Sequence, residues 1–154
     1  MDNGFEVFRR FESAEDASSL QISANSPTAW VATGHELERD EVGCSFRWVA
    51  ALPSLWLALP HLGGGPVFCQ LDLRPHPAVD CRFVTVRTGR QGRLAVSGSG
   101  AEIFAAPFLL PAEEGLATLI AIDGLTAIRP SKLGEGNDHR RLTARFYGAK
   151  LQAA

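Results

Sequence analysis

Cysteine is scarce in this chain, and its spacing pairs none of it. Cys44, Cys69 and Cys81 make an odd number in 154 residues, with no C-x-x-C pair among them. Free, buried thiols and a reducing compartment are therefore expected. An excess of charge of one sign is also lacking. Fifteen Lys and Arg against seventeen Asp and Glu leave a formal charge of −2 and a pI near 6.1. Such a chain has no broad basic field for nucleic acid or an anionic membrane, so neither is an expected partner. Long apolar runs are missing too: no stretch approaches the roughly 20 residues that cross a bilayer. The opening MDNGFEVFRRFESAED has no apolar segment of the kind that starts a secretory signal. No membrane insertion and a cytoplasmic location follow as expectations. There is also no long amphipathic helical pattern and no internal repeat.

What is present is short apolar alternation cut by glycine and proline. An apolar share of 45% in 154 residues is enough for the core of one domain spanning residues 1–154. The chain is organised around VGCSFRWVAALPSLWLALP, Val42 to Pro60. There Cys44, Phe46, Trp48, Ala50 and Leu52 alternate with Ser45 and Arg47, the period of a half-buried strand. After Pro53-Ser54 the alternation resumes, with Leu55, Leu57 and Leu59 on one side and Trp56 and Ala58 on the other. The expectation is that Cys44, Phe46 and Trp48 face the core and that Trp56 points outward.

The same reading extends along the chain. Strands are expected at Phe5 to Phe11, at Leu20 to Ser23 after a polar loop, and at Trp30 to Ala32. Val67 to Arg74 alternates strictly, with Val67, Cys69, Leu71 and Leu73 inward, and ends at Pro75. Arg82 to Thr88 and Arg93 to Ser97 form a hairpin around Gly89-Arg90-Gln91-Gly92. Ala101 to Leu110, Leu116 to Ile122 and Leu142 to Leu151 complete about nine or ten short strands. This is the pattern of an all-β chain, an antiparallel β-sandwich of the jelly-roll kind.

No catalytic constellation accompanies the fold. His35, His61, His76 and His139 are scattered, without H-x-H or H-E-x-x-H spacing, so no metal or other cofactor is expected. Gly63-Gly64-Gly65 lacks the Lys-Ser/Thr of a phosphate loop. Ser97-Gly98-Ser99-Gly100 lacks the strand-turn-helix setting of a nucleophile elbow. Glu36, Glu38, Asp40 and Glu41 read as a solvated loop of acids, not as a glycosidase pair. The chain is not expected to be an enzyme. Among its aromatic residues, outward-facing Trp56 is the candidate for stacking on a sugar ring, while Trp48 is assigned to the core.

Two stretches together carry a family resemblance. The first runs Gly34-His35-Glu36-Leu37-Glu38, then Gly43-Cys44-Ser45-Phe46-Arg47-Trp48, then the Leu55 to Pro60 strand. The second is Arg129-Pro130-Ser131-Lys132-Leu133-Gly134 followed by Asp138-His139-Arg140-Arg141-Leu142. In this order they resemble β-sandwich domains fused to, or encoded beside, bacterial cell-surface polysaccharide glycosyltransferases, from about Trp30 to Leu151. One departure is Thr143, where a glycine is common. The resemblance implies a noncatalytic, carbohydrate-associated module in exopolysaccharide, capsule or lipopolysaccharide assembly, with a glycan or a glycosyltransferase as partner. The alternative is a protein-interaction sandwich without sugar affinity. Independently of family, Asp138 and Arg141 lie three apart in a glycine-rich turn, where an aspartate accepts backbone N–H groups and an arginine makes a bidentate clamp, as in a structural tie between the last loop and the sheet. Arg129, Asp138 and Arg141 could line a sugar-hydroxyl site with Trp56, and Glu38 and Arg47 could form a loop-to-strand ion pair.

Overall fold

The computed structural model describes residues 19–25, 30–31, 34–60, 62, 65–89, 91–111 and 117–154. The strand expected at Phe5 to Phe11 lies outside them. The described residues form eleven strands in two antiparallel sheets, with one short α-helix and one 3-10 turn. The strands are β1 (Ser19–Ser23), β2 (Trp30–Val31), β3 (Leu37–Arg39), β4 (Ser45–Val49), β5 (Leu55–Pro60), β6 (Val67–Pro75), β7 (Val84–Thr88), β8 (Arg93–Gly98), β9 (Phe108–Leu110), β10 (Ala117–Asp123) and β11 (Ala144–Ala153). One sheet runs β3-β4-β11-β6-β9, with β1 also paired to β11, and the other runs β2-β5-β10-β7-β8. The expected jelly-roll-like β-sandwich is the fold.

Alternation explains the core. Leu55, Leu57, Leu59, Ile120, Ile122, Val84 and Val86 of the five-stranded sheet are buried against Cys69, Leu71, Leu73, Phe146, Ala149 and Leu151 of the six-stranded one. Each leucine or isoleucine removed from water in this way stabilises the fold by roughly 1.5–3 kcal/mol. The expected inward rows of β5 and β6 are thus correct.

The central strand β4 is turned the other way from expectation. Its register sets Val49 opposite Ala144 and Arg47 opposite Phe146, and Ala144, Phe146 and Val49 belong to the core. Trp48 is opposite Arg145, so Phe46 and Trp48 lie on the outer face, away from the other sheet. Trp48 is only half-buried, and Cys44 is exposed rather than buried. Both faces of β4 carry apolar groups, so period alone does not choose between them; the pairing with β11 does.

A second difference lies at Ala101, where a strand is expected. Ser99 caps a short helix α1 (Gly100–Ile103), its hydroxyl accepting from the Glu102 N–H at 3.2 Å. Only Phe108–Leu110 of that segment is strand, and it pairs with β6.

Thr143, the departure from the resembling family, has a structural task. Fully buried, it accepts from the Ala51 N–H at 2.8 Å through its hydroxyl, and its own N–H reaches the Val49 carbonyl at 2.7 Å. A glycine there would leave the Ala51 amide without this acceptor.

Candidate functional site

The two outer faces differ in how they present their aromatic side chains. On the six-stranded sheet, Phe46, Trp48 and Tyr147 gather in one cluster. Phe46 meets Trp48 edge-on at 5.9 Å and Tyr147 at 5.5 Å between ring centroids. Guanidinium groups cover these rings: that of Arg145 stands 4.5 Å from the Phe46 centroid and 5.1 Å from that of Trp48, and that of Arg74 stands 3.9 Å from Tyr147. Each such contact is worth about 0.5–2 kcal/mol, which a sugar stacking on the same ring face would have to displace. The Tyr147 hydroxyl also donates to Asp40 at 2.8 Å. Asp40 is held below the usual carboxylate range. Partial burial works against this, but the Tyr147 hydroxyl and the Cys44 and Val42 N–H groups outweigh it.

On the five-stranded sheet, Trp56 is open. It is 40% exposed, while Leu55 and Leu57 on either side of it are fully buried. Ala121 is directly opposite it on β10, followed by Arg87 on β7 and Leu94 on β8. No ring or guanidinium among the described residues stacks on the Trp56 indole. The next row of the same face is polar: Ser97 on β8, Thr85 on β7 and Asp123 on β10. The Ser54 hydroxyl donates to Asp123, whose other oxygen stands 3.7 Å from Arg87. One aromatic plane therefore lies beside a row of hydroxyl, carboxylate and guanidinium groups.

The loop between β10 and β11 carries the other residues singled out in the sequence. An Ile128–Leu142 bridge closes its neck, and the Ser131 N–H donates to the Asp138 carbonyl at 2.8 Å. Arg129, half-buried, precedes the 3-10 turn Pro130–Leu133. Asp138 accepts from the backbone N–H of Arg140 at 3.0 Å, as expected of an aspartate in such a turn, but the clamping arginine is not Arg141. Asp138 instead takes Arg140, which donates from Nε to Oδ1 at 3.0 Å and from Nη2 to Oδ2 at 2.8 Å. This pairing holds the Asp138 carboxyl down at about 2, against the opposing effect of burial. In a short turn adjacent side chains diverge, so Arg140 and Arg141 point apart.

The expected Glu38–Arg47 ion pair is likewise corrected. Glu38 accepts from Arg140 at 3.0 Å, and Arg47 donates to the backbone carbonyls of Ala24 and His35 at 2.9 and 3.0 Å. Arg47 is on the inner side of β4 and Glu38 is opposite Phe46 on the outer side, so the two cannot meet. Arg141 is exposed and lines a shallow hollow with Leu52, Pro53 and Leu125. Arg141 and Asp138 therefore serve different places: Arg141 edges this hollow, while Asp138 is joined through Arg140 to Glu38 on β3.

Sequence reading missed Arg87, Asp123, Thr85 and Ser97. Alternation along β7 places Thr85 and Arg87 on one face, but Ser97 joins them only through the register shift between Val86 and Arg87, and the pairing of β10 between β5 and β7 is not local. Among the described residues no three His, Cys, Asp or Glu side chains converge as metal ligands.

No protein-family model and no curated protein matches the chain. Among solved structures it is similar to the C-terminal CBM6 of LamC, a marine laminarinase from Zobellia galactanivorans. That likeness has a TM-score of 0.50 at 10% identity, covering 87% of this chain and 98% of the other. A second similarity is to accessory secretory proteins 1, 2 and 3 of Streptococcus pneumoniae, with a TM-score of 0.30 at 11% identity over 83% of this chain and 93% of the other. The first likeness shows a shared sandwich fold.

Proposed function

We propose that this protein is a noncatalytic glycan-binding module whose ligand lies on the outer face of the five-stranded sheet. The observation that carries the reading is the part-exposed Trp56 indole, on which no ring or guanidinium of the described residues stacks, beside the Arg87–Asp123 pair. A pyranose presents an apolar C–H face that stacks on an aromatic plane, and its hydroxyls suit fixed carboxylate and guanidinium groups, which accept and donate in pairs. Arg141 extends the site beyond Ser54, while Arg129 and Asp138 act by shaping the loop that presents it. The fold shared with a carbohydrate-binding module supports this reading. The resemblance of the Gly34 to Trp48 and Arg129 to Leu142 stretches supports a place in bacterial surface polysaccharide assembly beside a glycosyltransferase.

Calorimetric titration against purified bacterial exopolysaccharides tests the proposal. Trp56→Ala should weaken binding at least about tenfold, the scale of losing one buried aromatic contact. Unchanged affinity in Trp56→Ala removes this face from the site.

A protein-interaction role without sugar affinity has its own observation. Phe68 and Leu109 face each other across β6 and β9 and are 44% and 47% exposed. Co-purification of a partner that Phe68→Asp abolishes, with no heat from any glycan, would favour it.

A further inference from the structure

We infer that the outer face of the six-stranded sheet holds a separate site for a carboxylate-bearing sugar, a uronic acid residue, with Lys150 as its cation. The inference takes its ligand class from the glycan-binding reading above but uses none of the same residues. The antiparallel registers bring Gln21, Lys150 and Gln70 into one row across β1, β11 and β6, and Ser23, Gly148 and Asp72 into the next. These six positions form a polar tile with no side chain at the middle of its second row.

Only glycine fits that middle position. Gly148 has φ +149°, and a Cβ there would stand 2.0 Å from the Ile22 carbonyl oxygen. The glycine lets β1 approach β11 closely, and beside it lies a hollow of about 400 Å³ bordered by Gln21, Gln70, Lys150, Tyr147 and Phe104. That is within the size range of small-ligand sites, about 300–1,000 Å³.

The charges around the hollow leave one group over. Arg74 holds Asp72 through two hydrogen bonds of 2.9 and 3.2 Å. The Tyr147 hydroxyl is committed to Asp40, and the Ser23 hydroxyl donates to Asn25. Among the described residues Lys150 has no ion-pair partner, and the Gln21 and Gln70 amides have no side-chain hydrogen bond. An unpaired ammonium between two free amides, beside a hollow, complements a carboxylate flanked by hydroxyls: the ammonium takes the charge, and the amides donate to and accept from the ring hydroxyls. The Arg-covered rings of Phe46 and Tyr147 add no open stacking surface, so an apolar contact comes from Phe104, which lines the hollow, and the charge is read by Lys150.

Calorimetric titration of the full chain with oligogalacturonate and with its methyl ester, the same sugar without charge, tests the site. The wild type should bind the acid about tenfold more tightly than the ester, the scale of one charge-assisted contact at a partly exposed site. Lys150→Gln, an exposed substitution that leaves the core untouched, should bring the acid to the ester's level and leave the ester unchanged. Gln70→Trp, which fills the hollow, should abolish binding of the acid with the thermal midpoint retained. Equal affinity of the wild type for acid and ester, an acid preference that survives Lys150→Gln, or no binding of oligogalacturonate each overturns the inference. Trp56→Ala should leave the acid preference intact, so failure of the Trp56 face and failure of this site are read separately.

Discussion

Arg140 Nη1 stands 3.0 Å from Glu38 Oε2, a contact between residues 102 positions apart in sequence. It ties the β10–β11 loop to the edge strand β3, and Asp138 holds the other side of the same guanidinium. Both side chains are more than a third exposed, so solvent screens the pair. A double-mutant cycle between Glu38→Gln and Arg140→Met should return a coupling of about 0.5–1 kcal/mol in urea unfolding. A coupling of zero would show that the contact does not hold the loop.

The Asp138 carboxyl sets a pH dependence. Its folded value of about 2 is below the ordinary 3.8, chiefly through the Arg140 hydrogen bond. The unfolded chain therefore binds the proton more readily, and the stabilisation is complete above about pH 4 and lost as pH falls through about 2. Asp138→Asn should remove this part of the acid sensitivity. Parallel stability curves for wild type and variant between those pH values would contradict it.

Glycines at positive φ should differ in cost according to what surrounds them. Gly148→Ala would set its Cβ 2.0 Å from the Ile22 carbonyl oxygen, and Gly124→Ala would do the same against Phe83. Gly134, at φ +74°, has open space. Gly134→Ala should cost about 1 kcal/mol, the penalty of the left-handed conformation alone. Gly148→Ala and Gly124→Ala should cost at least about 3 kcal/mol, because backbone must move as well. Equal denaturation midpoints across the three would refute the difference.

Leu57 and Trp56 are neighbours in sequence with opposite duties. Leu57→Ala should destabilise the fold by about 2–5 kcal/mol, as a cavity between the sheets does. Trp56→Ala should cost less than Leu57→Ala, because its side chain is 40% exposed and lies outside the core between the sheets, and should register in glycan binding as well. Thermal midpoints of the two variants decide.

Thiol reactivity should follow burial. Cys69 is fully buried, and burial pushes its thiol up to about 12. The native protein should therefore leave Cys69 unmodified by an alkylating reagent at neutral pH while exposed Cys44 reacts; urea should release Cys69. Mass mapping that finds Cys69 labelled in the native protein would contradict this.

Local pattern determined much of this protein. Alternation specified the inward rows of β5 and β6, the outward turn of Trp56 and the sandwich class, because period two and glycine or proline breaks are properties of a short segment. Where both faces of a segment are apolar, as in Phe46-Arg47-Trp48-Val49, pattern allows two orientations, and the register with β11 chose the one that sends Trp48 outward. The partners of Asp138, Glu38 and Arg47 depended on which strands lie side by side. The rows beside Trp56 and around Gly148 arise from pairings of strands far apart in sequence. Only the closed sheets decide such pairings, since a cross-strand neighbour is fixed by register and not by distance along the chain.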